Sequence, residues 1–368
     1  MSNARKLADN LPSEGQLGNR NMLVNGAMQI YQRGAGTYTN NNFALDRWKY
    51  AINGNDEAAG TITQVADAPS GFATSLKLTT TTAESAWAAN EYSHISQLVE
   101  AQNLQRIGWG TSSAKPLTLS FYVKSSVTGT FSVGIYKADN TAVISNKTYT
   151  INSANTWEYK TVTFTANTTN DAINNDNGIG FYVNWHLAAG STYTGGGSLT
   201  DWNNYGGSSF WANGQATNAL FTTNGSTWQL TGCQLEVGEA TPFEHEPTSV
   251  TLAKCQRYYY AHIQSGNATQ YVGMGEMYTT TQLDLNVHLP VSMRASPTLV
   301  QSSGTNYWRG YGGNGSLLVS NNWTLWLSNS TNTVVSHYVT AASSSTAGFA
   351  MRVINDSTSA ALAYDAEL

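Results

Sequence analysis

Between Trp185 and Trp211 the chain reads WHLAAGSTYTGGGSLTDWNNYGGSSFW, a stretch with little strand pattern but many rings. Long segments of that kind in compact domains are functional or disordered, and this one is too aromatic for disorder. Sugar rings present apolar CH faces edged by hydroxyls. A flat aromatic beside amide, carboxylate and hydroxyl groups therefore suits them. Trp202, Tyr205 and Trp211 are candidate carbohydrate-binding residues, alongside Tyr193 and Phe210, with Asp201, Asn203 and Asn204 to supply hydrogen bonds. The competing reading is that these rings pack under the loop or against a neighbouring subunit. A second cluster, NYWRGYGGNG followed by NNWTLWL, carries Tyr307, Trp308, Arg309, Tyr311, Trp323 and Trp326. Strand alternation puts Trp323 and Trp326 on opposite faces, so one of them is expected in a core. The glycines around Tyr307, Trp308 and Tyr311 suggest an exposed loop tip, and these three are candidate sugar-binding residues as well.

CQRYYY (255–260) calls for a different chemistry. Tyrosine buries a large ring while its hydroxyl stays satisfied at a wet boundary. Arg257 can stack on a ring and pair with a carboxylate such as Glu244 or Glu246. Arg257, Tyr258, Tyr259 and Tyr260 are therefore expected to pack between domains or between subunits rather than to hold a ligand.

Catalytic patterns are missing. The six histidines (His94, His186, His245, His262, His288 and His337) are scattered without HxH or HExxH spacing. No GxSxG elbow, P-loop or dinucleotide fingerprint occurs. Glycan cleavage needs two converging carboxylates, and neither Glu84, Glu91 and Glu100 nor Glu236, Glu244 and Glu246 mark such a pair. The expectation is a protein that is not an enzyme and carries no cofactor. DAINNDNG, with Asp171, Asn174, Asp176 and Asn177, gathers oxygen ligands of the kind calcium prefers. It lacks the glycine and closing glutamate of an EF-hand loop, so an Asn/Asp turn is the favoured reading and a structural calcium the alternative.

The elements that must position these residues follow from composition. Of 368 residues only 11% are charged, against roughly 25% in ordinary globular proteins. Ser, Thr, Asn and Gly fill the gap, with 20 Tyr and 11 Trp, a mixture that favours short strands and tight turns. A net charge of -5 gives no electrostatic pull toward nucleic acid or an anionic membrane. From Thr161 to Ala253 there is no Lys or Arg, which argues against a phosphate-binding surface there. No stretch approaches the roughly 20 apolar residues of a membrane span, and the polar N-terminus does not resemble a secretory signal. Cys233 and Cys255 lack metal-ligand spacing and are expected as buried free thiols.

Strand candidates recur along the chain: NMLVNGAMQIYQRG (21–34, with a turn), DRWKYAI, SLKLTTT, HISQLVE, LTLSFYVKSS, TFSVGIYKA, TYTIN, WEYKTVTFTA, GIGFYVNWHLA and WQLTGCQLEVG. Turn chemistry such as NSANT, NNDNG and TNGST separates them. The predicted fold is all-β: an antiparallel jelly-roll β-sandwich over 21–246, then a second, smaller β-sandwich domain over 257–368. Residues 1–20 form a polar arm and 247–256 a linker, in which Leu252, Cys255 and Tyr259 share one face of a possible short helix.

The ordered series NMLVNGAMQIYQRG, DRW, LTLSFYVKSS, WEYKTVTFTA and GCQLEVGEATPFEH, leading into CQRYYY, resembles the carbohydrate-binding-module-like jelly roll of many bacteriophage tail-fibre and receptor-binding proteins. The resemblance implies a homotrimer that attaches a virion to a bacterial surface polysaccharide. It implies other virion proteins as partners through the N-terminal arm, and 257–368 as the receptor-binding tip. Such a protein is made in the host cytoplasm and displayed on the particle exterior. The alternatives are a structural virion component (head fibre, decoration or baseplate protein) and, with less support, a polysaccharide-cleaving fibre.

Overall fold

Alternation of apolar and polar residues governs the architecture, and GFYVNWHL shows how. In a strand successive side chains point to opposite faces, so Phe181, Val183, Trp185 and Leu187 are buried in a core while Tyr182, Asn184 and His186 take the other side. The computed structural model describes residues 18–34, 42–43, 45–54, 58–84, 86–169, 171–205, 210–313, 317–340 and 344–368. The chain divides into two compact units, one running to Thr251 and the other spanning Leu252–Glu367.

The described strands of the first unit are β1 (Asn42–Phe43), β2 (Lys49–Asn53), β3 (Ala59–Val65), β4 (Ser75–Thr82), β5 (Tyr92–Glu100), β6 (Leu117–Ser125), β7 (Gly129–Lys137), β8 (Val143–Ile151), β9 (Glu158–Phe164), β10 (Ile179–Ala189), β11 (Asn203–Asn204) and β12 (Thr227–Val237). They form a seven-stranded sheet in the order β1-β2-β5-β10-β7-β8-β11 and a five-stranded sheet in the order β3-β4-β12-β6-β9. Every pairing is antiparallel. Between the sheets lies a core that includes Trp48, Leu76, Leu78, Phe121, Val133, Trp185, Trp228 and Leu230. The Trp185 ring sits 5.4 Å from Trp48 and 5.7 Å edge-on from Phe121.

Segment 21–34, expected as a strand with a turn, is irregular instead. Asn25 adopts a left-handed backbone (φ 58) and its side chain does the work a ladder would do. Its amide donates to the carbonyls of Ile30 and Asp46 at 2.9 and 3.1 Å, and its Oδ1 accepts from Ile30 N–H at 3.0 Å. Gly26 lies against the Cys233 carbonyl, where a Cβ would stand 2.1 Å from the oxygen. The NG pair thus serves a close backbone approach rather than a hairpin. Residues 1–17, most of the expected arm, lie outside the described residues. Where description begins, the Glu244 carboxylate accepts the N–H groups of Asn19, Arg20 and Asn21.

Residues 248–256, placed in the linker by the sequence, form helix α1 (Thr248–Gln256). The second unit contains β13 (Tyr259–Ile263), β14 (Tyr271–Met277), β15 (Gln282–His288), β16 (Thr298–Gln301), β17 (Trp308–Gly312), β18 (Leu317–Ser320), β19 (Thr324–Leu325), β20 (Val334–Thr340), β21 (Ala350–Asn355) and β22 (Leu362–Asp365). A three-stranded sheet, β13-β22-β16, and a seven-stranded one, β18-β17-β21-β14-β15-β20-β19, share a smaller core built on Leu283, Leu285, Trp308, Trp323, Val353, Leu362 and Tyr364. Both cysteines are free and buried.

Candidate functional site

A group of side chains with unspent bonding capacity lies on the outward face of the first unit's seven-stranded sheet. Register builds this face row by row. Lys49 on β2 pairs with Ser96 on β5, Ser96 with Asn184 on β10, Asn184 with Gly134 on β7, and Gly134 with Asn146 on β8. In the neighbouring row His94 faces His186. On the other flank Leu98 faces Tyr182, and Tyr182 faces Tyr136. The Asn146 amide side chain lies across Gly134, where a Cβ would stand 2.1 Å from its Oδ1 and make that side chain shift.

Segment 210–217 then folds over part of the face. Asn146 donates to the Phe210 carbonyl at 2.7 Å, Ser132 Oγ donates to the Asn213 carbonyl at 2.7 Å, and Ser132 N–H donates to Gln215 Oε1 at 2.8 Å. These bonds bring Trp211 above the sheet. Its ring stands 5.6 Å from His94, 5.9 Å from His186, 5.6 Å from Tyr136, 6.1 Å from Tyr205 and 6.2 Å from Tyr92. Tyr92 stacks on His94 with ring planes 12° apart and takes the Tyr193 ring edge-on. Tyr136 meets Tyr182 at 5.6 Å and Tyr205 at 4.8 Å. Tyr92, Tyr136, Tyr182, Tyr205 and Trp211 are all half-buried, so each ring keeps part of its surface open.

The floor beneath these rings is polar and closed. Ser96, Asn146, Asn184 and His186 are essentially inaccessible, and His94 nearly so. Both ring nitrogens of His186, both amide atoms of Asn184, His94 Nδ1, Ser96 Oγ, Asn146 Oδ1 and Trp211 Nε1 have no hydrogen-bond partner among the described residues. Buried polar atoms are ordinarily satisfied by protein, ordered water or ligand, because an orphan costs about 1–3 kcal/mol. A cluster of them under open aromatic rings has the make-up of a recognition surface. Electrostatics agree with a neutral resting floor. Burial, and then the Lys49 charge, push the His94 pKa down to about 3. Burial and then His94 hold His186 well below its ordinary value. Burial lowers Lys49, and burial followed by neighbouring tyrosines raises Tyr205 to about 12.

Two of the three loop candidates, Tyr205 and Trp211, thus join one cluster. Trp202 does not. It meets Trp109 edge-on at 4.6 Å, donates from Nε1 to the Thr165 carbonyl at 2.8 Å, and packs against the core. Asp201 and Asn203, expected to reach for a sugar, are occupied within the loop. Asp201 Oδ1 accepts the Trp202 N–H and Asn203 Oδ1 the Ser198 N–H. His94 and His186, read from the sequence as scattered, and Asn184 were not placed together because nothing in a single strand shows which residue it will face. The alternation of GFYVNWHL was the available signal, since it sets Tyr182, Asn184 and His186 apart from the core.

In the second unit the expected exposed tip at Tyr307-Trp308 is corrected. Trp308 lies within β17, is 1% exposed, and packs with Trp323 in the core. Gly310, taken for a turn residue, is in the same strand, where a Cβ would meet Met351 Cε at 3.3 Å. Tyr307 is half-buried against that core. Tyr311 is half-buried too, with the Arg352 guanidinium over its ring and its hydroxyl accepting from Arg309. Of the two strand tryptophans, Trp323 is buried and Trp326 is 37% exposed.

Tyr258 and Tyr259 are buried where the second unit begins, and Tyr260 stacks against Tyr364. The carbonyl of Arg257 accepts the Arg294 N–H, and that of Tyr258 the Ala366 N–H. Glu244, offered as a partner for Arg257, is engaged by the backbone of residues 19–21. In the calcium candidate, Asp176 Oδ1 accepts the Gly178 N–H, while Asn174 donates to Asp139. The first is a turn bond, and the second ties the segment to Asp139, 35 residues earlier in the chain. Among the described residues no three His, Cys, Asp or Glu side chains gather to hold a metal.

No family model matches the chain, and no curated protein matches it. Among solved structures, the enzymatically active domain of bacteriophage CBA120 tailspike protein 4 is 13% identical over 60% of this chain and 22% of its own, with a TM-score of 0.32. A Family 11 carbohydrate-binding module from Clostridium thermocellum, in complex with a β-1,3-1,4-mixed-linked tetrasaccharide, is 9% identical over 58% of this chain and 99% of its own, with a TM-score of 0.28. The CBM22-1 xylan-binding domain of Paenibacillus barcinonensis Xyn10C is 10% identical over 63% of this chain and all of its own, with a TM-score of 0.27. The similarity to carbohydrate-binding modules and to a tailspike domain is distant. At these scores it does not bear on what this chain binds.

Proposed function

We propose that the protein binds a bacterial surface glycan through the outward face of its first seven-stranded sheet, as a tail-fibre or receptor-binding component of a bacteriophage. The observation that carries the binding reading is the ring of half-open aromatics (Tyr92, Tyr136, Tyr182, Tyr205 and Trp211) around a floor of unpartnered amide, imidazole and hydroxyl groups. The rings offer flat apolar surface to sugar CH faces, with Lys49 and the edge of His94 beside them as polar contacts, above a closed polar floor. This moves the receptor site from the second unit, where Trp308 fills a core, to the first. The protein acts by binding, without catalysis. Glu91 and Glu100, the carboxylates carried by or beside β5, are buried and take the Ala88 N–H and the Gln102 amide respectively. The homotrimer and anchorage through residues 1–20 belong to the same proposal and rest on the sequence resemblance.

The test is a glycan array of bacterial polysaccharides probed with the intact protein, Trp211→Ala and Tyr182→Ala, each checked for unchanged melting. Binding by the intact protein that both variants lose supports the reading. Undiminished binding by the variants, or no glycan bound by the intact protein, sinks it, and the second result favours a structural virion role.

A further inference from the structure

Three basic side chains gather on the proposed binding face, with no carboxylate among them in the described residues. Lys49 comes from β2, His94 from β5 and His186 from β10. The imidazole centroids are 6.0 Å apart, and the Lys49 charge lies close enough to His94 to disfavour its protonation. Besides burial, what disfavours protonation of the two imidazoles is positive charge alone: Lys49 acting on His94 and His94 acting on His186. Among the described residues the other titratable groups around them are the phenols of Tyr92 on β5, Tyr136 on β7 and Tyr182 on β10, and those of Tyr193 and Tyr205 from the segment that follows β10. Ser96 Oγ, Asn184 Nδ2 and Trp211 Nε1 add buried donors without a partner among the described residues.

A buried basic cluster ordinarily carries its own counter-ion, since isolated buried charge is expensive. In the free protein the imidazoles rest neutral, and among the described residues no carboxylate stands beside them or Lys49 to favour a proton. That is how a site looks when the missing charge arrives with a ligand.

Resting on the glycan-binding reading above, we infer that the glycan is acidic. A sugar carboxylate lies beside Lys49 and His94, with His186 closed beneath Trp211, and its sugar ring lies against Trp211 and Tyr136. Carboxylate binding favours protonated imidazole, so complex formation takes up a proton. A His that is neutral in the free protein and charged in the complex makes affinity rise as pH falls, by up to tenfold per pH unit for one proton.

The test uses the full-length protein and titration calorimetry at pH 5.5 and pH 8. The probes are a hexuronic-acid-containing bacterial oligosaccharide retained by the array, the same oligosaccharide with its carboxyls reduced to hydroxymethyl groups, and a phosphate-bearing neutral glycan. The expected result is tight binding of the acidic probe, stronger at pH 5.5. Carboxyl reduction should weaken it more than tenfold, and so should His94→Gln. Lys49→Gln should weaken it too, without need of any change in the imidazoles. Equal binding of native and carboxyl-reduced probes overturns the inference and leaves the glycan-binding reading in place, as does binding confined to neutral or phosphate-bearing glycans. Binding to no glycan at all removes both.

Discussion

Replacing Trp308 with alanine separates two accounts of the second unit. Were this ring an exposed contact at a loop tip, its removal would cost adsorption and nothing else. The structure places it at 1% exposure in β17, 6.1 Å from Trp323, with Leu283, Leu285 and Val353 in the same core. Truncating a buried aromatic to alanine costs roughly 3–5 kcal/mol, transfer and cavity terms together. For a domain on the order of 100 residues, each 1 kcal/mol shifts the melting temperature by about 4 °C or more. Trp308→Ala should therefore lower the melting of the second unit by roughly 12–20 °C. Trp326→Ala supplies the contrast, since that ring is 37% exposed, and surface substitutions usually stay within about 0.5 kcal/mol. Differential scanning calorimetry on both variants at matched concentration gives the answer. If Trp308→Ala melts within about 2 °C of the parent while host-cell binding disappears, the core placement of this residue is wrong.

Gly26→Ala would drive a Cβ to within 2.1 Å of the Cys233 carbonyl oxygen, so the backbone must yield, and a loss at the upper end of the roughly 1–3 kcal/mol typical of overpacking is expected in urea unfolding; an unchanged midpoint would refute that close approach. Burial pushes the Glu158 pKa up, but Lys160, the N–H groups of Ser153 and Asn152 and the Asn152 side chain together bring it from 4.5 to about 2. A depressed carboxylate contributes stability above its unfolded value that is lost as pH falls through the folded one, so Glu158→Gln should flatten the acid limb of the stability curve between those two values, read by melting across that range. Asn184→Leu removes a buried amide that has no partner, so melting should hold or rise while glycan binding falls; a variant that keeps full binding would take Asn184 out of the site.

How much of this was legible beforehand depended on whether the signal was local. HISQLVE, LTLSFYVKSS, WEYKTVTFTA and WQLTGCQLEVG read as strands because period-two alternation is written within each segment, and each lies in or overlaps a strand. Segment 21–34 also alternates, yet Asn25 turns its backbone left-handed and bonds Ile30 and Asp46 through its side chain. Side-chain bonding to backbone competes with a ladder, and only the neighbours decide which wins. Gly310 looked like a turn residue, yet it gives Met351 room beside a strand.

The sequence by itself determined that the chain is all-β and that aromatic rings are concentrated between Trp185 and Trp211. Both are properties of a single segment and its alternation. Only the tertiary structure decided which rings work together. Trp202 turns to Trp109, while Trp211 lies over His94 and His186. Lys49, Ser96, Asn184 and Asn146 come from four strands far apart in the chain and stand in one row because antiparallel register aligns them. Register is fixed by burial of the opposite face, where a slip of one residue would send Trp185 and Val183 into solvent. The core thus places the site, and no single segment carries that information.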